Sequence, residues 1–120
     1  VVDSDNAPIL DLPSALARLG GDRSLLRDLA VFYLEDALDL LRQLEKGLND
    51  NDVELVMRCA HNLKSLSSNF DSHRASAVAL EAEQYSRQGK LNAVAALLPQ
   101  LEFEVERVIQ ALTQQLLDVE

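Results

Sequence analysis

Apolar residues recur along most of this chain at intervals of three and four, the period of helices that bury one face. From 53 to 70, VELVMRCAHNLKSLSSNF sets Val56, Cys59, Leu63, Leu66 and Phe70 on one such seam. A second seam, Leu26, Leu29, Tyr33, Ala37, Leu40, Leu44 and Leu48, predicts a long helix from about Arg23 to Leu48, with Asp22 as its N-cap. Ala75, Val78, Ala82 and Tyr85 predict a further helix to about Arg87, stopped by Gly89. Val94, Leu98, Leu101, Val105, Val108, Leu112 and Leu116 predict a last one from Asn92 to Leu117. Pro99 lies inside that span and cannot donate to the carbonyl of Ala95, so a kink or a new helical start is expected near it.

Ahead of these, Asp11 is placed to cap a short helix with Pro13 in its first turn and Ala15, Leu16 and Leu19 on its apolar edge. Gly20-Gly21 ends it. Residues 1–8, which have no period and close on Pro8, read as a terminal linker, leaving 9–118 as one domain. Asn49-Asp50-Asn51-Asp52 and Asp71-Ser72 supply turns and caps for the helices that follow them. Four long seams with short connections at 49–52, 71–72 and 89–91 predict an all-α fold: an antiparallel up-and-down four-helix bundle with the short N-terminal helix across one end.

Composition agrees. Aromatic residues are 4% of the 120, tryptophan is absent, and Leu and Ala dominate, so the core is aliphatic; no alternating Val/Ile/Tyr run suggests a strand. A net charge of −9 argues against nucleic acid or an anionic membrane surface as partner. No apolar run approaches the ~20 residues that span a bilayer, and no secretion signal opens the chain, so a cytoplasmic location is expected. The first residue is Val rather than Met, which fits a segment excised from a larger protein. Cys59, the single cysteine, lies on a core seam and reads as packing.

The candidate chemistry lies on the helix from 53 to 70. At ~100° per residue, His61 falls opposite the seam, in water, with Met57, Lys64, Ser65 and Ser68 beside it. Arg58 and Lys64 against Glu54 make this the least acidic part of the chain. Taken alone, an exposed histidine is most often an ordinary surface residue. His73, the other histidine, reads as surface, and the acidic residues read as solvated helix faces. No metal motif, nucleotide-binding loop or serine nucleophile with a base beside it is present in the sequence; Ser67 is assigned to helix packing and Ser68 to the exposed side.

What raises His61 above its surroundings is a resemblance. Ala60-His61-Asn62-Leu63-Lys64-Ser65-Leu66-Ser67-Ser68-Asn69-Phe70 resembles the signature A-H-x-L-K-G-S-S-x-N-L-G-A of histidine-containing phosphotransfer (HPt) domains. His61, Leu63, Lys64, Ser67 and Asn69 match it; Phe70 replaces one apolar residue by another, and Ser65, Leu66, Asp71 and Ser72 depart from it. LARLGGDRSLLRDLAVFYLED is similar to the first part of such domains, and Glu83-Gln84-Tyr85-Ser86-Arg87-Gln88-Gly89 to their E-x-x-A-R-x-G.

The resemblance implies a phosphorelay intermediate. His61 would accept a phosphoryl group through Nε2 from a receiver-domain aspartate and donate it to another, with Lys64 stabilising phosphoryl charge and Met57, Arg58, Ser65 and Ser68 on the docking face. Its partners would be the receiver domains of response regulators or hybrid sensor histidine kinases, which bring the Mg²⁺. The domain itself would hold no cofactor or metal and would have no ATP-dependent kinase activity. The competing readings are a helical interaction module in which His61 is ordinary surface, and an HPt-like domain that binds receivers without relaying.

Overall fold

The computed structural model describes residues 8–117, which form five α-helices and no strand. The expected linker lies outside the described residues except for exposed Pro8, as does position 118 at the expected end of the domain. The helices are α1 (Leu12–Arg18), α2 (Arg23–Asn49), α3 (Val53–Ser68), α4 (His73–Arg87) and α5 (Leu91–Leu112), and α5 runs on into a π-helical turn, Thr113–Leu117. No helix among the described residues is long and apolar enough to cross a membrane.

Three aspartates start helices as the sequence predicts. The Asp11, Asp22 and Asp52 carboxylates accept from the backbone N–H groups of Ser14, Leu25 and Leu55 at 3.0–3.1 Å. Ser72 does not follow them: it occupies the N-cap position of α4 but makes no side-chain cap bond, and its hydroxyl is buried without a partner. The α3–α4 turn is held from outside instead. Asp71 takes a left-handed φ of 51°, and Arg18 Nη2 donates to the Ser68 and Asn69 carbonyls at 3.2 Å each while Nη1 reaches Asp71 at 3.0 Å. The Asp11 N–H adds a bond to the Phe70 carbonyl, so α1 is tied to the C-terminal end of α3.

Each long helix packs on its neighbour in sequence, and α5 returns to α2. On α3 the predicted seam is buried except for half-buried Leu66. The helix itself stops at Ser68 rather than 70, and Phe70 enters the core from the turn, edge-on to Tyr33 at 5.8 Å between ring centroids. On α2 the predicted Leu26, Tyr33, Ala37 and Leu44 are buried, whereas Leu29, Leu40 and Leu48 are only half-buried beside buried Ala30, Leu41 and Gly47. Apolar spacing favours large side chains, whereas a helix wedged between α3 and α5 puts small residues at the closest approach. At Gly47 a Cβ would lie 2.8 Å from Val56 Cγ2, so only glycine admits α3 that close. Pro99 neither splits α5 nor restarts it, because one helix runs from Leu91 to Leu112. The α-helical hydrogen bonding ends at Leu112, short of the expected Leu117. Glu104, on that helix, is buried with Arg74 in a two-pronged ion pair that joins α4 to α5.

Tyr33 is fully buried and shares a 3.1 Å hydrogen bond with Ser67, which joins α2 to α3 directly beneath the histidine helix. Burial pushes its phenol up from 10.0 to about 12, against a smaller lowering by the Ser67 hydroxyl. An acid whose pKa is raised by folding leaves stability intact below its ordinary value and removes it as pH climbs towards the folded value. The native protein is therefore expected to lose about 3 kcal/mol between roughly pH 10 and 12 through this group. Denaturant titrations across that range should show the loss in wild type and a flatter profile in Tyr33→Phe.

Candidate functional site

His61 stands on the outer side of α3 because the residues around the rest of the turn, Cys59, Ala60 and Leu63, are spent on the core. Its side chain is 53% exposed, but the ring is not free to turn. Nδ1 lies 3.0 Å from Oε2 of Glu83, a residue of α4. The same oxygen accepts from Arg87 Nη2 at 2.8 Å, one turn along α4. Lys64 Nζ, one turn from His61 on α3, sits 3.1 Å from Oε1 as an ion pair, outside hydrogen-bonding angles. A carboxylate only 4% exposed thus gathers an imidazole, an ammonium and a guanidinium at the α3–α4 seam.

The electrostatics follow from that crowd. Burial alone would raise the Glu83 carboxyl, but the Lys64 ammonium and the His61 ring beside it outweigh that and hold the group below its ordinary value. An ionised carboxylate only accepts, so the His61 nitrogen facing it must carry the proton. In the neutral ring Nδ1 is then the donor, and Nε2, on the far side of the ring from Glu83, keeps its lone pair. The arrangement selects a tautomer and an orientation together.

Sequence reasoning placed His61 and Lys64 side by side, and the structure brings them onto one carboxylate. It did not find that carboxylate. Glu83 is the correction to the reading of acidic residues as solvated faces, and Glu104 is another: both are buried. A signal was available in the acid at 83, four positions before Arg87 and next to core residue Ala82. Of the docking-face residues, Arg58, Ser65 and Ser68 are exposed and Met57 is half-buried. Ser68 is also engaged locally, donating to the Lys64 carbonyl at 2.8 Å and lying 3.2 Å from Ser76 Oγ of α4. Ser65 opens towards α2 instead, into a groove with Asp36, Asp39 and Leu40. His73 is exposed at the start of α4. No cluster of three or more potential metal ligands occurs among the described residues.

The Hpt domain family model matches residues 28–116, which include α3, α4 and every residue gathered on Glu83. The chain belongs to the Hpt family. Its role is accordingly histidine phosphotransfer within a phosphorelay. Among solved structures, histidine-containing phosphotransfer protein B (HptB) from Pseudomonas aeruginosa PAO1 is similar, with a TM-score of 0.85 and 25% identity over 96% of this chain and 100% of that one. None of the curated proteins matches.

Proposed function

We propose that His61 is the residue of this Hpt domain that carries the phosphoryl group, taking it from one receiver-domain aspartate and passing it to another. The observation that carries this reading is the exposed imidazole whose Nδ1 is held by Glu83, leaving Nε2 directed outwards as a nucleophile. In the transfer the Nε2 lone pair forms a bond to phosphorus as the P–O bond to the receiver aspartate breaks, and the departing carboxylate keeps the electron pair. No proton has to move: Nδ1–H stays in place, and the positive charge of the phosphorylated ring is met by the Glu83 carboxylate. Lys64, 29% exposed beside it, can turn from Oε1 towards the phosphoryl oxygens at small cost.

The partners are receiver domains of response regulators or hybrid sensor histidine kinases, which provide the aspartate and the Mg²⁺, and the relay takes place in the cytoplasm. The domain contributes no cofactor of its own. Helices α2–α5, joined by short turns and closed by the return of α5 onto α2, support an antiparallel up-and-down four-helix bundle as the scaffold, with α1 on one end. A phosphorylated receiver should transfer its label to this protein as an acid-labile, base-stable phosphoramidate, and Mg-ATP alone should leave it unlabelled. Labelling by ATP alone would overturn the reading in favour of a kinase.

Ser65 tests the approach of the partner. It sits one helical turn beyond His61 and is exposed. A long side chain there holds a receiver away from the imidazole, and a misplacement of about 1 Å can cost ~100-fold in rate. Ser65→Arg is therefore expected to slow transfer by about that factor while thermal unfolding moves by less than ~0.5 kcal/mol, and Ser65→Gly to transfer like wild type. Rates from quenched-flow labelling, with melting followed by circular dichroism, check both.

A further inference from the structure

Helix α2 carries two apolar stripes, and the core uses only one. Leu26, Ala30, Tyr33, Ala37, Leu41 and Leu44 are buried. Leu25, Leu29, Phe32, Asp36 and Asp39 follow one another at spacings of four, three, four and three along an adjoining face. On it Leu25 is 41% and Phe32 53% exposed, and Leu29 is half-buried. The acidic end of this second stripe reaches the histidine helix: Asp36, Asp39 and Leu40 form one wall of a groove whose other wall is Asn62, Ser65 and Leu66 of α3. Asn62 follows His61 directly and Ser65 is one turn beyond it, so the groove opens beside the imidazole. Asp39 accepts a 2.7 Å bond from Gln43, and neither Asp36 nor Asp39 has a cation partner among the described residues.

We propose that this stripe selects among receivers: it takes one that lays an apolar side chain on Phe32 and sets a lysine or arginine opposite Asp36 and Asp39. The inference rests on His61 being the phosphoryl acceptor. A protein that brings an aspartate to bonding distance of His61 covers on the order of 800 Å² of this surface, a disc ~16 Å in radius, if the interface is of ordinary size. Asn62 and Ser65, next to His61 and one turn beyond it, belong to that surface, and Asp36 and Asp39 share the groove with them. Two carboxylates with no cation of their own are then stripped of water, and a receiver that offers them no positive charge is rejected by that penalty. A matched cation instead speeds encounter and fixes register, while an exposed aromatic beside it supplies the kind of anchor that dominates binding energy. The same carboxylates, in a chain of net charge −9, turn away nucleic acid.

The test uses a receiver that phosphorylates the wild-type protein, with direct labelling by the small phosphodonor phosphoramidate as a control that needs no docking. Asp36→Lys/Asp39→Lys is expected to raise KM for the phosphorylated receiver at least tenfold, to leave the rate at saturating receiver within about twofold, and to remove most of the salt dependence of transfer. Phe32→Ala should raise KM without changing the salt dependence. Reversing the charge of the facing lysine or arginine on the receiver should restore the double variant. Phosphoramidate labelling of His61 should be equal throughout. An unchanged KM and salt dependence in the double variant, with the wild type still labelled at His61, overturns the selection surface and leaves the relay reading standing. Failure of both donors to label His61 in the wild type overturns the relay reading and this inference with it.

Discussion

His61→Gln is expected to take up no label from a phosphorylated receiver, and His73→Ala to be labelled at the wild-type rate. Both histidines are exposed, so accessibility does not separate them. Their surroundings do. His61 has Nδ1 fixed by a buried carboxylate and a lysine one turn away, whereas His73 heads α4 and stands apart from the cluster on Glu83. Glutamine approximates the size and polarity of the ring but has no nitrogen lone pair to attack phosphorus, so the loss is complete rather than graded. The substitution lies on the outer side of α3, and melting should move by less than ~1 kcal/mol. Acid-lability of the label and mass spectrometry of the modified peptide check the assignment. Label retained in His61→Gln, or lost equally in His73→Ala, would remove His61 from the mechanism.

Glu83→Ala should slow transfer by ~10–100-fold, by analogy with deleting the hydrogen-bond partner that orients a metal-ligating histidine. Three consequences act together. The ring loses the acceptor that holds Nδ1–H, so the other tautomer and other rotamers become populated; the phosphorylated ring loses its counter-charge; and Lys64 and Arg87 lose their common anchor. Glu83→Gln retains a carbonyl acceptor without the charge and should fall between the two. Lys64→Ala leaves the imidazole oriented, so it should slow transfer less than Glu83→Ala and shorten the phosphohistidine lifetime, because a cation near the phosphoryl oxygens is gone. Single-turnover rates at saturating receiver separate these effects from docking.

Glu83 also has a signature in pH. Its carboxyl is held below the ordinary value in the folded protein. Its ionised form therefore adds stability above the ordinary carboxylate range, and that contribution disappears as pH falls through the lowered folded value. Acid unfolding of the wild type, followed by circular dichroism, should include this loss, and Glu83→Gln should show a shallower acid limb. An identical acid profile in the two proteins would mean that Glu83 is not ionised against its three partners.

Local order along the chain was sufficient for a good deal of this molecule. Helix starts at Asp11, Asp22 and Asp52, stops at Gly20 and Gly89, and the buried side of α3 follow from capping chemistry and a period of 3.6, and those are interactions among residues a few positions apart. The exposure of His61 and its nearness to Lys64 are properties of one helix and need no second one. Glu83 is different. It is separated from His61 by 22 positions, and a carboxylate on α4 becomes a partner of the imidazole only when α3 and α4 pack with that register. The same holds for Tyr33 beneath Ser67, for Arg18 on the end of α3, and for the burial of Ala30, Leu41 and Gly47 beside the predicted α2 seam. Spacing alone put Leu26, Tyr33, Ala37 and Leu44 on the buried side, where the structure has them; the close approach of α3 at Gly47 and of Tyr33 to Phe70 goes with the burial of Ala30, Leu41 and Gly47 in place of their predicted neighbours. Within a helix, chain geometry determines which residues are neighbours, but contacts between helices depend on how side-chain volumes fit, and that is settled only when the bundle closes.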